Sequence, residues 1–507
     1  MFTQSLWNSF SGTTNFPSLT NDIKVDVAIV GGGITGISTA QLLAEAGFSV
    51  AVLEARKVGG GTTSHSTGNL YYNIDQVLSS LQSKYNNEII RRVAGSRNSA
   101  VQLIEDNVNK FQIDCDFKRV PSFLYSSNEE NAAKVDQEYE TALEAGVKME
   151  NASSEEIPFK MTRGVKVSGQ AQFNSMRYVQ GLANAIENDS CRIYENTRVS
   201  SFEENDDGVI LKTTGGTVTA KYAVHATHTP KGVKVTFHTV LGPYREYGVA
   251  AKLNSGEYPE GIFWGYYGSG EKVSVRSYSR GTEKFIIAVG QPHKVGQAKN
   301  NNEHIEHLVT FLKDHFDIGE VTHRWGGQHY KPADKLPYIG PQAEDSRIYV
   351  ATGFSTDGLT YGVLSGMIIS DHIAGKDNPY TEVYKASRFT PAKSAKEFLK
   401  ENLNVATQFI KDLPFKGDED ELRLLKNGEG RIIEKDGHKV AASRSENGEL
   451  NLHSAFCTHM YCVVHWNNAE RTWDCPCHGS RFNQEGGVLE GPALEPLKKF
   501  KSSGEKS

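Results

Sequence analysis

The 507-residue sequence predicts an α/β chain that ends in a small all-β domain, and three observations carry that prediction. Near the front, VDVAIV (25–30), GGGITG (31–36), ISTAQLLAEAG and FSVAVLE (48–54) read as strand, glycine turn, helix and strand. From Phe415 onward the pattern changes to short alternating segments, DELRLL, EGRIIEKDGHKVAASR and ELNLHSAF, broken by the turns KNGEG, KDG and ENG. Four of the six cysteines then fall in CTHMYC (457–462) and CPCHGS (475–480), so the chain carries one cysteine-built site and not a disulfide framework.

Composition bounds the class. At roughly 100–200 residues per domain, the length suits two to four domains. A hydrophobic share of 38% and a charged share of 23% describe a soluble globular protein. No apolar run approaches the ~18 residues of a membrane span. The start, MFTQSLWNSFSGTTNF, has neither a basic region nor an apolar core, so no secretory signal is expected and the cytoplasm is the expected location. The net charge of −6 is spread out, without the concentrated basic patch of a nucleic-acid binder. No internal repeat or low-complexity tract is visible.

The front unit has the chemistry of dinucleotide binding. Gly31 permits the tight turn, Gly33 lets backbone approach a pyrophosphate, and Gly36 lets helix and strand pack closely. The helix start offers free N–H groups to phosphate. Glu54 ends the second strand, placed to bond a ribose hydroxyl. These features predict a Rossmann-like domain.

Further motifs name the dinucleotide. Arg56 and GGGTTSHSTGN (59–69) resemble the second glycine-rich segment of the FAD-dependent amine and amino-acid oxidases, the family of D-amino-acid, glycine and sarcosine oxidases. AQFNSMRYVQGLANAI (171–186), NTRV (196–199), YAVHAT (222–227), LPYIGP (336–341) and GFSTDGLTYGVLSGMIISDHI (353–373) are similar to later segments of that family. The likeness covers about residues 22–380 and is loose between its end motifs. It implies FAD, held also by Gly353, Gly358, Leu359 and Thr360, where a glycine-rich loop leads into a helix whose positive end favours a reduced flavin. GTTSHSTG further resembles the segment that bears covalent flavin in dimethylglycine and sarcosine dehydrogenases. His65 is therefore a candidate for a covalent bond, for a hydrogen bond beside the flavin, or for a plain place in the loop.

The resemblance also implies a mixed or antiparallel sheet over the reacting face of the flavin, and KFIIAVG (284–290) and RIYVATG (347–353) read as strands. A carboxylate-bearing substrate calls for a bidentate arginine, for which Arg245, Arg276 and Arg280 are candidates. Tyr244, Tyr247 and Tyr278 are candidate pocket residues. Such residues are more often structural, and no catalytic residue is assigned beyond the candidates Arg245, Arg276 and Tyr278. His304 and His307 lie on an amphipathic helix and read as a solvated face. Cys115 and Cys191 read as buried, inert thiols.

At the back, Cys457, His459, Cys475 and His478 are a donor set open to zinc on residue types alone. The CxH…CxCH spacing, with an extra cysteine in each loop, resembles the Rieske [2Fe–2S] domain. The resemblance implies that Cys457 and Cys475 bind one iron and His459 and His478 the other, giving a potential above that of four-cysteine clusters. It implies a disulfide between Cys462 and Cys477, Ser480 donating to a cluster sulfur, and GPALEPL (491–497) as a covering loop. Phe482 stands where high-potential members have a tyrosine, implying a lower potential than theirs.

The expected organisation is an FAD-dependent oxidoreductase over residues 1–380, a linker helix over 381–414 and a Rieske domain over 415–507. Flavin-binding segments are expected at 22–80, 165–230 and 325–380, and a substrate domain mainly at 81–164 and 231–324. Together these imply a dehydrogenase of an amine or amino acid that passes electrons from flavin through the cluster to an unidentified external acceptor. The alternative is a peroxide-forming oxidase with a structural or redox-sensing Rieske domain.

Overall fold

The computed structural model describes residues 4–72, 77–230, 236–254, 259–268, 271–388 and 420–500. The expected linker helix lies mostly outside the described residues. Within 381–388, only a short helix, Thr381–Tyr384, is present.

Two large sheets share the front of the chain. The first has eight strands, with Ile23–Val30 at its centre between the parallel strands Thr217–His225 and Val50–Leu53. Beyond them lie Ile348–Thr352 and Tyr338–Pro341 on one side and Cys191–Tyr194 on the other. The second half of Ile23–Val30 and all of Val50–Leu53 are buried, because helices cover one face (Val27, Ile29, Val50, Val52) and Val199, Val209 and Leu211 of an antiparallel hairpin cover the other (Ala28, Val30, Leu53). The helix Ile34–Glu45 packs on Gly358–Ile373, bringing the glycine turn and the closing motif together.

The second sheet has nine strands and is mixed: Ile262–Tyr267 runs parallel to Lys118–Ser126, while the other pairings are antiparallel. Its edge strand is Ile318–Pro332, paired with Leu241–Leu253. The strand Arg163–Gln172, expected to begin a flavin-binding segment, pairs in this second sheet instead. The helix Asn302–His315 lays Ile305, Leu308, Val309 and Leu312 against Val249, Ala251 and Ala288. His307 keeps to the surface beside Glu271, 3.0 Å away. His304 departs from the expected solvated face: its ring stacks on His293 at 4.1 Å, where the apolar stripe meets the sheet.

The C-terminal part is all antiparallel. Gly430–Lys435, His438–Arg444 and Leu450–Ser454 form a three-stranded sheet, and His465–Asn467, Thr472–Asp474, Arg481–Phe482 and Val488–Glu490 a four-stranded one. The KDG turn acts as its residues require. Lys435 pairs with His438, and Asp436 and Gly437 between them have φ of 50° and 73°, the left-handed pair of a tight hairpin. Trp473, Phe482, Val464 and the four cysteines of the motif make the core of this unit.

Candidate redox site

The glycine turn is built for close approach. Gly31 has φ of +109°, and a Cβ on it would stand 2.5 Å from the Ala226 carbonyl oxygen; a Cβ on Gly36 would stand 1.9 Å from the carbonyl oxygen of Gly31. Any side chain there would push strand and helix apart. Gly33 caps the helix, and the Ile34 N–H donates to Thr63 Oγ1 at 3.1 Å. The Glu54 carboxylate is oriented by two backbone N–H donors, Gly32 and Arg56, each at 2.8 Å.

These residues open onto a cavity of about 430 Å³. Gly31, Gly33, Glu54 and Arg56 line it, as do His65, Phe354, Gly358 and Leu359. Gly36, Gly353 and Thr360 stand behind this wall, Thr360 buried in the first turn of the closing helix. That helix start is held by a buried ion pair between Arg97 and Asp357 at 3.1 Å. His65 has Nδ1 3.0 Å from the Gly61 carbonyl oxygen, and burial lowers its pKa. His228, which sequence reasoning did not single out, lines the same cavity; its Nδ1 is 3.2 Å from Thr62 Oγ1 and burial lowers its pKa too. A lining that mixes apolar side chains with the Glu54 carboxylate, the glycine turn and two helix starts fits a flavin dinucleotide.

The small β domain also lines the cavity, through Glu470, Thr472, Arg481, Leu489, Glu490 and Gly491. No local motif marks these residues, because only docking of the two units brings them there. They belong to a buried charge network. Arg481 bonds Asp474 Oδ1 and Glu490 Oε1 at 3.0 Å and lies 3.3 Å from Glu470. Burial opposes ionisation of Glu470 and Glu490, but the nearby guanidiniums outweigh it and hold both carboxyls below their ordinary range.

The three candidate catalytic residues are engaged elsewhere, and none lines the cavity. Arg245 makes a two-pronged ion pair with Glu470, tying the second sheet to the small domain. Arg276 is buried and donates to the carbonyl oxygens of Thr67 and Gly68 at 3.0 and 2.7 Å. Tyr278 donates to Asp116 at 2.8 Å, beside Arg280, which pairs with the same carboxylate at 2.9 Å. Of the candidate tyrosines, Tyr247 lines the cavity, and Tyr244 stacks on His329 at 5.9 Å. Cys115 and Cys191 are buried thiols whose pKa is pushed up to about 12, as inert thiols require.

The four predicted cluster residues converge. Cys475 and His478 sit on the hairpin tip between Thr472–Asp474 and Arg481–Phe482, while Cys457 and His459 sit on the loop after Ala455. The Cys457 and Cys475 thiols share a hydrogen bond, which lowers the pKa of Cys457 and, with burial, raises that of Cys475. The rings of His459 and His478 are 5.1 Å apart. Ser480 bonds the Cys457 sulfur and accepts from the Ala493 N–H at 3.0 Å, linking the covering loop to the site. Cys462 and Cys477 form a disulfide that ties the two loops. Two adjacent thiols and two adjacent imidazoles at the tips of tied loops are a donor set that fits a cluster with one sulfur-bound and one nitrogen-bound iron.

Comparison with known proteins agrees with both halves. Residues 26–372 match the family "FAD dependent oxidoreductase", and residues 417–501 match the Rieske [2Fe-2S] domain. A Bacillus subtilis protein named for a Rieske 2Fe-2S iron-sulfur centre, YhfW, is 32% identical over 98% of this chain and 97% of its own length. The gamma-glutamylputrescine oxidoreductase of Escherichia coli is 26% identical over 71% of this chain and 86% of its own length. In fold, the crystal structure of glycine oxidase from Geobacillus kaustophilus superimposes with a TM-score of 0.59 at 20% identity, covering 72% of this chain and 99% of the oxidase. The chain therefore belongs to the FAD dependent oxidoreductase family and is an oxidoreductase of FAD and a [2Fe-2S] cluster, the latter in a C-terminal Rieske domain.

Proposed function

We propose that this protein is a cytoplasmic dehydrogenase of an amine or amino acid that sends electrons from its flavin through the Rieske cluster to an external acceptor. One observation carries the reading: a single cavity runs from the glycine turn to a wall made by the Rieske domain.

Bound FAD supplies a two-electron hydride acceptor, and the cluster a one-electron carrier. The chain's own residues do the rest. Gly31, Gly33, Glu54 and Arg56 would hold the dinucleotide, and the positive end of the helix begun by Gly358 and Leu359, which line the same cavity, would favour a reduced flavin. Cys457, His459, Cys475 and His478 hold the cluster. The Arg245–Glu470 pair ties the second sheet to the Rieske domain, and Arg481 holds Glu470, Asp474 and Glu490 together behind it. The substrate would share this cavity, whose lining includes Tyr247 and Glu246. The gamma-glutamylputrescine oxidoreductase likeness supports an amine or amino acid as substrate class.

The test is an anaerobic titration of the purified holoprotein with a panel of amines and amino acids, followed by visible absorbance and EPR. A substrate that bleaches the flavin and then raises a Rieske signal is the expected result. Flavin bleaching with a cluster that stays oxidised overturns the proposal and leaves the peroxide-forming oxidase.

A further inference from the structure

The two cluster loops stand in different surroundings. The loop 475–480 presses on the edge strand of the nine-stranded sheet. Gln328 Nε2 donates to the Gly479 carbonyl oxygen at 2.7 Å, and Tyr330 donates from its hydroxyl to the carbonyl oxygens of His478 at 3.3 Å and Gly491 at 3.1 Å. Gln328 also donates to the Tyr330 hydroxyl at 3.0 Å. The two side chains are two residues apart on one strand and so share a face. The fit is close. Gly479 has φ of +78°, and a Cβ there would stand 2.7 Å from Pro243 Cβ, 2.9 Å from Gln328 Nε2 and 3.1 Å from the Tyr330 hydroxyl oxygen. The other loop faces out: Phe456, Met460 and Tyr461, which flank His459, are 38%, 44% and 63% exposed.

Tyr330 touches both sites. Its ring lines the cavity and lies edge-on to His228 at 4.9 Å, and its hydroxyl bonds the backbone of a cluster residue. We propose that Tyr330, positioned by Gln328, is the bridge through which the cluster receives electrons from the flavin cavity, with His478 as the entry ligand. The inference rests on the flavin-to-cluster reading above. Electrons cross bonded, close-packed groups more readily than gaps, and this path is continuous from cavity wall to ligand backbone. Each passage oxidises the flavin by one electron and reduces the cluster by one. The hydride's proton stays on the flavin side, and the second electron follows once an external one-electron acceptor has emptied the cluster.

The experiment is anaerobic laser-flash photoreduction of the flavin in the holoprotein, timing flavin reoxidation against cluster reduction, for wild type, Tyr330→Phe and Gln328→Leu. Tyr330→Phe keeps the ring and removes the hydroxyl; Gln328→Leu keeps the hydroxyl and removes its support, and serves if the first variant folds poorly. The expected result is transfer clearly slower in Tyr330→Phe than in wild type, and slowed less in Gln328→Leu. Flavin content, cluster EPR spectrum and cluster potential should stay at wild-type values. A wild type that transfers while both variants keep pace overturns the bridge alone. Slowing matched by an equal loss of the EPR signal also overturns it, since ligand geometry and not the path would then be at fault. A wild-type cluster that never takes the flavin's electron sinks the underlying reading instead.

Discussion

Replacing Arg245 with methionine should loosen the Rieske domain from the flavoprotein more than any other single exchange at this interface. Arg245 and Glu470 have side chains only 1% and 8% exposed, and the guanidinium grips the carboxylate with two nitrogens. The packing is tight enough that a Cβ on Gly326 would stand 2.5 Å from Arg245 Nη2 and 2.7 Å from Glu470 Oε2. Around the pair, two guanidiniums (Arg245, Arg481) face three carboxylates (Glu470, Asp474, Glu490), an excess of one negative charge. Arg245→Met raises that excess to two in a buried site. Removing one partner of a buried pair costs about 3–5 kcal/mol. Because Arg481 remains 3.3 Å from Glu470, the low end, about 3 kcal/mol, is expected. Adding Glu470→Gln restores the charge excess to one, so the double variant should recover at least ~1 kcal/mol. Urea unfolding of the holoprotein, followed by cluster circular dichroism for the Rieske domain and flavin fluorescence for the rest, measures all four corners of the cycle. A loss below ~0.5 kcal/mol in Arg245→Met, the level of an ordinary surface change, would refute the reasoning, as would a double variant worse than either single.

Three further outcomes are expected. Asp26 accepts from the Ser49 N–H, the Ser49 hydroxyl and Lys221, which hold its pKa at about 2; a depressed carboxylate stabilises the fold above about pH 4 and loses that contribution as pH falls toward 2. Asp26→Asn should thus cost about 1 kcal/mol at pH 7, after discount for its partly exposed position, and the gap to wild type should close on acidification; a gap independent of pH refutes it. Cys475→Ser should abolish the Rieske EPR signal and leave the flavin spectrum intact; loss of flavin along with the cluster would contradict separate sites. With its Nδ1 beside the Gly61 carbonyl oxygen, His65 is expected to hydrogen-bond the flavin without a covalent link, so acid precipitation should leave all flavin in the supernatant, and flavin in the pellet that vanishes in His65→Ala would show the bond instead.

Much of this protein is legible along the chain because the relevant physics is local. The strand–glycine–helix unit, the acid at Glu54, the hairpin at Asp436-Gly437 and the CxH…CxCH pair each depend on residues within a few positions of one another, and backbone geometry enforces their spacing. The resemblance of the two loops implied the disulfide between Cys462 and Cys477 and the convergence of Cys457, His459, Cys475 and His478; the loops are tied by that disulfide and the two imidazoles lie 5.1 Å apart. Arg245, Arg276 and Tyr278 are less legible. An arginine's chemistry suits a substrate carboxylate and a structural carboxylate equally, and nothing near Arg245 in sequence reveals that Glu470, 225 residues away, is its partner. His228 stayed unnoticed for the same reason, since its place beside Tyr330 is decided by how one sheet meets the other.

By itself, then, the sequence carried the strand–glycine–helix unit and the paired CxH…CxCH loops, because each rests on short-range spacing, and their resemblance to known families implied which residues would hold FAD and the cluster. Only the tertiary structure decided that the Rieske domain closes the flavin cavity, that Arg245 is a clasp between the two units, and that the His478 loop turns inward while the His459 loop turns out. Those are facts of docking, set by shape and buried charge between surfaces that no local pattern records.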